Sequence, residues 1–286
     1  MANTRTEIFV TKASGEQEPF SEVKLRHSLE RVHASPDAVD AIVEKIETEL
    51  KEGVKTADIY RKAFALLKRS SRPTAARYSL KNALMELGPT GRPFEHFVGE
   101  LMKSEGFNVE VAKIVPGVCV KHEVDVVGTK EDRHIMVECK FHNRPGLRSD
   151  VKISLYVQAR FEDVERRWKK EPQHGEKFHE VWLVTNTKLT SDATDYAKCV
   201  GMTAIGWSYP QGNSLEDRIE RAGLHPITCL TTLTRFQKNA LMQKGIYLCK
   251  ELLLRADVLS SIGVREDFVE KILSEAQQLC QKTKTV

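Results

Sequence analysis

The chain has 286 residues, 41% of them apolar and 29% charged, a globular profile long enough for two or three domains. No apolar run nears the ~20 residues that a bilayer span requires. The opening Met1-Ala2-Asn3-Thr4-Arg5-Thr6-Glu7 lacks a secretion signal's apolar core, so the expectation is a cytoplasmic protein with no membrane partner. The net charge of +4 is too mild to prescribe a nucleic-acid partner, which leaves local clusters to make any such contact.

In chain order, the first part opens on an apolar strand, Ile8-Phe9-Val10, and a turn at Ser14-Gly15. Helical spacing follows in Leu25, Leu29 and Val32, in Ile42, Ile46 and Leu50, in Ile59, Ala63 and Leu67, and in Leu80, Leu84 and Leu87. The turn-rich Gly88-Pro89-Thr90-Gly91-Arg92-Pro93 ends this part, and Tyr209-Pro210-Gln211-Gly212-Asn213-Ser214 ends the next. The expected domains are therefore 1–90, 91–210 and 211–286.

The second part alternates. An amphipathic helix carries Phe94, Phe97, Val98, Leu101 and Met102 and stops at Gly106. Strands are predicted at 107–115, 118–127 and 134–141, a helix near 150–170, a strand at 179–185, a helix at 191–200 and a strand at 202–207. That order is an α/β domain with a mixed sheet. The third part is helical, and Ser261-Ile262-Gly263-Val264 sits between two helical stretches like a tight hairpin. That element loosely resembles a helix-hairpin-helix, whose amides hold a DNA phosphate, but it lacks the usual second glycine, and plain helical packing is the favoured reading. The six cysteines, at 119, 139, 199, 229, 249 and 280, form no C-x-x-C pair, which argues against a disulfide framework or a structural zinc.

Two strands of the middle part carry chemistry. In His122-Glu123-Val124-Asp125-Val126-Val127, alternation puts Val124 and Val126 on one face and Glu123 and Asp125 on the other. In Ile135-Met136-Val137-Glu138-Cys139-Lys140-Phe141, Ile135, Val137, Cys139 and Phe141 share a face, with Glu138 and Lys140 opposite. Adjacent strands bring Asp125, Glu138 and Lys140 together. Phosphodiester hydrolysis needs a hard cation held by oxygen ligands, and a nearby lysine to orient water and meet developing charge. The plain alternative is a pair of salt-bridged surface strands.

The arrangement resembles the PD-(D/E)XK nucleases, and among them the Mrr-like restriction endonucleases, over about residues 91–208. The resemblance implies a restriction-endonuclease-like α/β core and a Mg²⁺- or Mn²⁺-dependent DNA endonuclease. Asp125 and Glu138 would bind the metal, Glu95 would complete its site, Lys140 would assist catalysis, and Gln158, set inward with Leu155 and Phe161, would be the family's glutamine. Val124 stands where proline often precedes the aspartate. His122 and His142 read as structural or phosphate-contacting residues. For the DNA path there are two basic clusters: Lys140, Arg144, Arg148 and Lys152, and Arg166-Arg167-Trp168-Lys169-Lys170, the second also readable as a solvated helix face.

Residues 7–88 resemble the ATP-cone, a mainly helical regulatory domain. The match runs through Val10-Thr11-Lys12-Ala13-Ser14-Gly15, Glu18-Pro19-Phe20, Lys24-Leu25, Glu52-Gly53-Val54-Lys55-Thr56-Ala57-Asp58-Ile59 and Ala75-Ala76-Arg77-Tyr78. It implies that ATP or dATP binds with Lys12 and Lys24 on phosphates and Glu18 and Thr56 on ribose or base. Ala13 replaces a usual arginine, and Tyr60 stands where some relatives carry histidine. A nuclease with one centre cuts one strand, so a double-strand break implies a homo-oligomer that the nucleotide controls. The alternative is a non-catalytic, nucleotide-responsive DNA-binding regulator on a nuclease scaffold.

Overall fold

The computed structural model describes residues 7–172, 174 and 176–281; the Met1–Thr6 part of the expected first domain lies outside them. The chain opens on a hairpin, β1 (Phe9–Thr11) against β2 (Gln17–Pro19), turned by Gly15 at φ +85°, where a side chain would be strained. Five helices follow: α1 (Glu22–Glu30), α2 (Pro36–Thr48), α3 (Thr56–Ser70), α4 (Arg72–Tyr78) and α5 (Leu80–Met85). Ser21 and Ser35 cap α1 and α2 by accepting the Lys24 and Ala38 amides. Leu25, Leu29, Ile42, Ile46, Ala63 and Leu67 bury together as one small core.

The middle part comprises α6 (Arg92–Ser104), β3 (Asn108–Pro116), β4 (Lys121–Lys130), β5 (Arg133–Lys140), β6 (Arg148–Ser149), α7 (Val151–Trp168), β7 (Phe178–Thr185), β8 (Lys188–Leu189), α8 (Ser191–Cys199) and β9 (Thr203–Ile205). The main sheet runs β3-β4-β5-β7-β9, antiparallel through β5 and parallel from there. It is the mixed sheet expected of a restriction-endonuclease-like core. β6 and β8 form a separate two-stranded pair too short for the alternation pattern to reveal. One sheet face buries Val126, Ile135, Val137 and Trp182 with the apolar stripe of α6. The other buries Val124, Val127, Met136 and Leu183 under Val157, Phe161 and Val164 of α7.

The last part is helical: α9 (Leu215–Ala222), α10 (Arg235–Gln243), α11 (Cys249–Leu254), α12 (Val258–Ser261) and α13 (Glu266–Cys280). The expected hairpin forms at Gly263, φ +76°, and a matching one forms 18 residues earlier at Gly245, φ +74°. In each, the residue after the glycine donates to a carbonyl five residues back: Ile246 to Leu241 and Val264 to Leu259. The amides of Tyr247 and Leu248 that follow the first hairpin already donate to Glu251.

Leu80, Leu84 and Leu87, expected to close the N-terminal unit, bury instead in a continuous core with Phe94, Phe97, Leu248 and Leu252. Polar contacts reinforce that seam. Arg218 reaches Glu105 at 2.9 Å, Lys250 reaches Glu100 at 2.9 Å and His96 reaches Glu251 at 2.8 Å. Arg31, the residue after α1, reaches Glu216 of α9 at 2.6 Å. No helix among the described residues is long and apolar enough to cross a membrane.

At the far end of the sheet, buried His134 stacks on Trp168 and His174 with ring centroids 3.7 and 4.4 Å apart. Burial, then His174, His179, Lys177 and Lys113, push His134 down from 6.5 to about 3. The unfolded state therefore binds the extra proton between those values, and stability falls as pH drops through that window. From pH 7 to 5 this group alone should remove about 2 kcal/mol. The urea midpoint of His134→Phe, which keeps a ring in the stack, should fall less than that of wild type over this range; equal losses would contradict the assignment.

Candidate active site and nucleotide site

The sheet opens where the carboxylates lie. β4 and β5 pair from Lys130↔Arg133 to Val126↔Val137, and Asp125 and Glu138 face each other one step beyond. On the other side of β4, Ala112 stands opposite Asp125 with φ +53°, a left-handed conformation unusual for alanine. The ladder breaks there and resumes at Lys113↔Val124. This kink corrects the alternation expected of β4: Val124 and Val126 lie in opposite layers, Val124 under α7 and Val126 under α6. β5 keeps its predicted alternation, with Cys139 and Phe141 packed on the α6 side together with Ile135 and Val137.

Asp125 is fixed by the Cys139 N–H, which donates to its Oδ2 at 2.7 Å. Burial raises the Asp125 pKa, the Cys139 amide and the charges of Arg160 and Lys140 offset part of that rise, and Glu123 adds to it. Glu138 is raised to about 7 by burial, then by Asp125, with Glu95 contributing. Glu95, on the first turn of α6, is raised to about 7 by burial, then by Asp125. Like charges this close disfavour joint ionisation, so the site is short of positive charge. Lys140 is exposed at the end of β5.

The structure thus brings Glu95, Asp125, Glu138 and Lys140 to one end of the sheet. Gln158 of α7 keeps its Oε1 buried without a partner among the described residues. Its side chain donates to Glu162 at 3.1 Å, and Leu155, expected beside it on the inward face, is 46% exposed. The residue of α7 that enters the site is Arg160, which donates to the Glu138 carboxylate and to the Glu123 carbonyl oxygen. The sequence signal was a cation flanking the buried Val157-Phe161-Val164 stripe.

A hard divalent cation suits this donor set: the acidic groups offer oxygen ligands only, and a guanidinium already stands on one of them. Among the described residues, no three His, Cys, Asp or Glu side chains converge as a ready cation cage. Asp125 and Glu138 would hold the ion, with Glu95 behind Asp125.

Both histidine side chains meet protein partners, His142 Nε2 lying 3.1 Å from Ser149 Oγ. His122 Nε2 lies 2.9 Å from Asp163, which also accepts the Cys119 and Val120 amides. The His142 amide donates to Asn186 Oδ1 at 2.8 Å, and Asn186 Nδ2 donates back to the His142 carbonyl at 2.8 Å. Asn186 therefore fixes the loop that follows Lys140. Arg144, Arg148 and Lys152 are exposed around that loop. In the second basic cluster Arg166, Arg167 and Lys169 pair with Asp163, Glu171 and Glu165, as a solvated helix face does.

In the N-terminal part, Lys12 and Lys24 converge on Glu18, 2.9 and 3.1 Å away. The two ammonium groups hold its carboxyl below the usual range. Thr56 begins α3, whose preceding residue Lys55 bridges to Thr11. Tyr60 stacks on Tyr78 at 5.2 Å, within the helical bundle. The Lys12–Gly15 turn also meets the loop after Lys140: a Cβ at Gly146 would lie 3.3 Å from the Ala13 carbonyl carbon and 3.4 Å from the Ser14 nitrogen.

Comparison with known proteins agrees in order and extent. Residues 8–82 match the ATP cone domain, residues 88–205 the restriction endonuclease family of Mrr type, and residues 225–280 the family described as AF1548-like, C-terminal. An uncharacterized protein of Archaeoglobus fulgidus is 34% identical over 183 residues, which span 64% of this chain and 99% of that protein. The crystal structure of a protein of unknown function, AF1548, is matched at 34% identity and TM-score 0.52, over 65% of this chain and 96% of that one. The restriction endonuclease MspJI, solved with a 27-mer oligonucleotide, is matched at 11% identity over 60% of this chain and 38% of that one; its TM-score of 0.24 is too low to argue from. The chain belongs to the AF1548-like family, with an ATP-cone domain ahead of an Mrr-type restriction-endonuclease domain and the AF1548-like helices behind it.

Proposed function

We propose that the protein is a Mg²⁺-dependent DNA endonuclease, placed in the cytoplasm, whose assembly responds to ATP or dATP. The observation that carries this reading is the facing of Asp125 and Glu138 where β4 and β5 part, with Lys140 two residues on. A bound Mg²⁺ would neutralise the phosphate and lower the pKa of the attacking water. Asp125 and Glu138 supply its oxygen ligands, and the Cys139 amide keeps Asp125 aimed. Lys140, exposed beside them, orients the water and offsets charge as a P–O bond forms and the ester P–O bond breaks. The alternative, a DNA-binding regulator without catalysis, is favoured by the guanidinium on Glu138. Supercoiled plasmid separates the two: Mg²⁺ should produce nicks, and EDTA, Asp125→Ala or Glu138→Ala should abolish them. Lys140→Ala should slow nicking about 10²–10³-fold. Nicking that survives both carboxylate changes would remove the assignment.

DNA would run along Arg144, Arg148 and Lys152, whose charges meet no acidic partner among the described residues, while acidic neighbours meet most of the 166–170 cluster. Each phosphate contact contributes close to one unit to the log–log slope of affinity against salt. Arg144→Ala/Arg148→Ala should therefore lower the slope by about two. An unchanged slope in filter binding across a salt series would move the DNA path elsewhere.

The nucleotide triphosphate would draw Lys12 and Lys24 from Glu18 onto its phosphates, with Glu18 and Thr56 left to ribose or base. The Gly146 contact with Ala13 and Ser14 gives this site a physical route to the loop behind Lys140. A ligand shifts an assembly equilibrium only by its differential affinity, so a ten-fold shift needs about 1.4 kcal/mol. Calorimetry should find ATP or dATP binding that Lys12→Ala/Lys24→Ala abolishes, and light scattering should find a nucleotide-dependent mass. Binding without a change in mass or nicking rate would keep the ligand and reject the regulation.

A further inference from the structure

Arg160 is the one α7 side chain found in the catalytic end of the sheet, and its position is unusually committed. It spans the gap left where β4 leaves β5, donating to the Glu123 carbonyl on one side and the Glu138 carboxylate on the other. The two charged side chains are only 11% and 18% exposed, so water screens the pair weakly. Its guanidinium also lies 5.2 Å from the ring of exposed Tyr156, one turn earlier, which anchors the helical side of the bridge. A buried carboxylate without a partner is costly, and Glu138 already faces the charges of Asp125 and Glu95.

We propose that Arg160 is a positioning residue that acts as the centre's internal counter-cation: it holds Glu138 across the strand gap, and a divalent cation gains Glu138 only by displacing the guanidinium. This rests on Asp125 and Glu138 being the metal carboxylates. It accounts for an oxygen-rich site that nonetheless offers no ready three-residue cage among the described residues. The latch protects the buried carboxylate when no metal is bound and lowers metal affinity by the strength of the pair. A purely structural arginine would have the opposite signature, because its removal would loosen the site and weaken binding.

The test is Mn²⁺ affinity by calorimetry without DNA, on the full chain. Arg160→Ala should bind Mn²⁺ about ten-fold more tightly than wild type, equivalent to about 1.4 kcal/mol. Arg160→Lys keeps the charge but loses the fork, so it should fall between them and serves as the test if the alanine variant does not fold. Asp125→Asn should lose Mn²⁺ binding. If binding is lost in Asp125→Asn but Arg160→Ala and Arg160→Lys match or fall below wild type, the latch is wrong and the metal centre stands. If no variant binds Mn²⁺, or binding survives Asp125→Asn, the metal-centre reading fails and the latch with it.

Discussion

Three carboxylates at the end of a packed sheet repel one another, and burial makes that repulsion stronger because little water remains to screen it. The carboxylate end of this sheet is organised around that constraint. Glu95, Asp125 and Glu138 arrive on three elements, helix α6 and the sheet strands β4 and β5. Each has a separate means of restraint: an amide for Asp125, a guanidinium for Glu138 and the start of a helix for Glu95. The left-handed backbone at Ala112 belongs to the same solution. It interrupts the β3–β4 ladder beside Asp125, at the step where the β4–β5 pairing also ends.

The N-terminal site applies the same electrostatics with the signs reversed. Two ammonium groups crowd around Glu18, and that carboxylate makes their proximity tolerable. A polyphosphate would bring more negative charge than one glutamate, so such a ligand would compete with an internal surrogate. In both sites a charged side chain of the protein occupies the position of the expected ligand's charge. Such surrogates limit the penalty of an empty site, and they convert binding into exchange rather than simple addition.

The strand periods marked out the sheet's strands, whereas the turns said nothing of the core that runs on past them. β5 was readable residue by residue because it is central, buried on both faces and regular, so strict alternation held through Cys139. β4 was not, because one left-handed residue on a neighbouring strand reversed its facing between Val124 and Val126. Gln158 and Arg160 mark a second limit. Two residues apart on a helix differ by about 200°; the family pattern singled out Gln158 and passed over Arg160, the residue that meets Glu138. Leu80, Leu84 and Leu87 showed their helical stripe plainly, yet the stripe could not say which neighbouring unit it would bury against.

Charge clusters in the sequence divide for a related reason. Arg166, Arg167 and Lys169 lie on a regular helix with acidic residues three or four positions away, so local geometry neutralises them. Arg144 and Arg148 lie on a loop and a two-residue strand, where no helical spacing supplies partners. That loop is held at its start by Asn186 and touches the Lys12–Gly15 turn through Gly146. Its exposed cations, without an acidic partner among the described residues, therefore sit on a loop anchored beside β5 at one end and in contact with the Lys12–Gly15 turn near the other. Any rearrangement of Lys12 that moves Ala13 presses directly on Gly146, because a glycine at φ +86° with no Cβ is what lets the two backbones approach so closely.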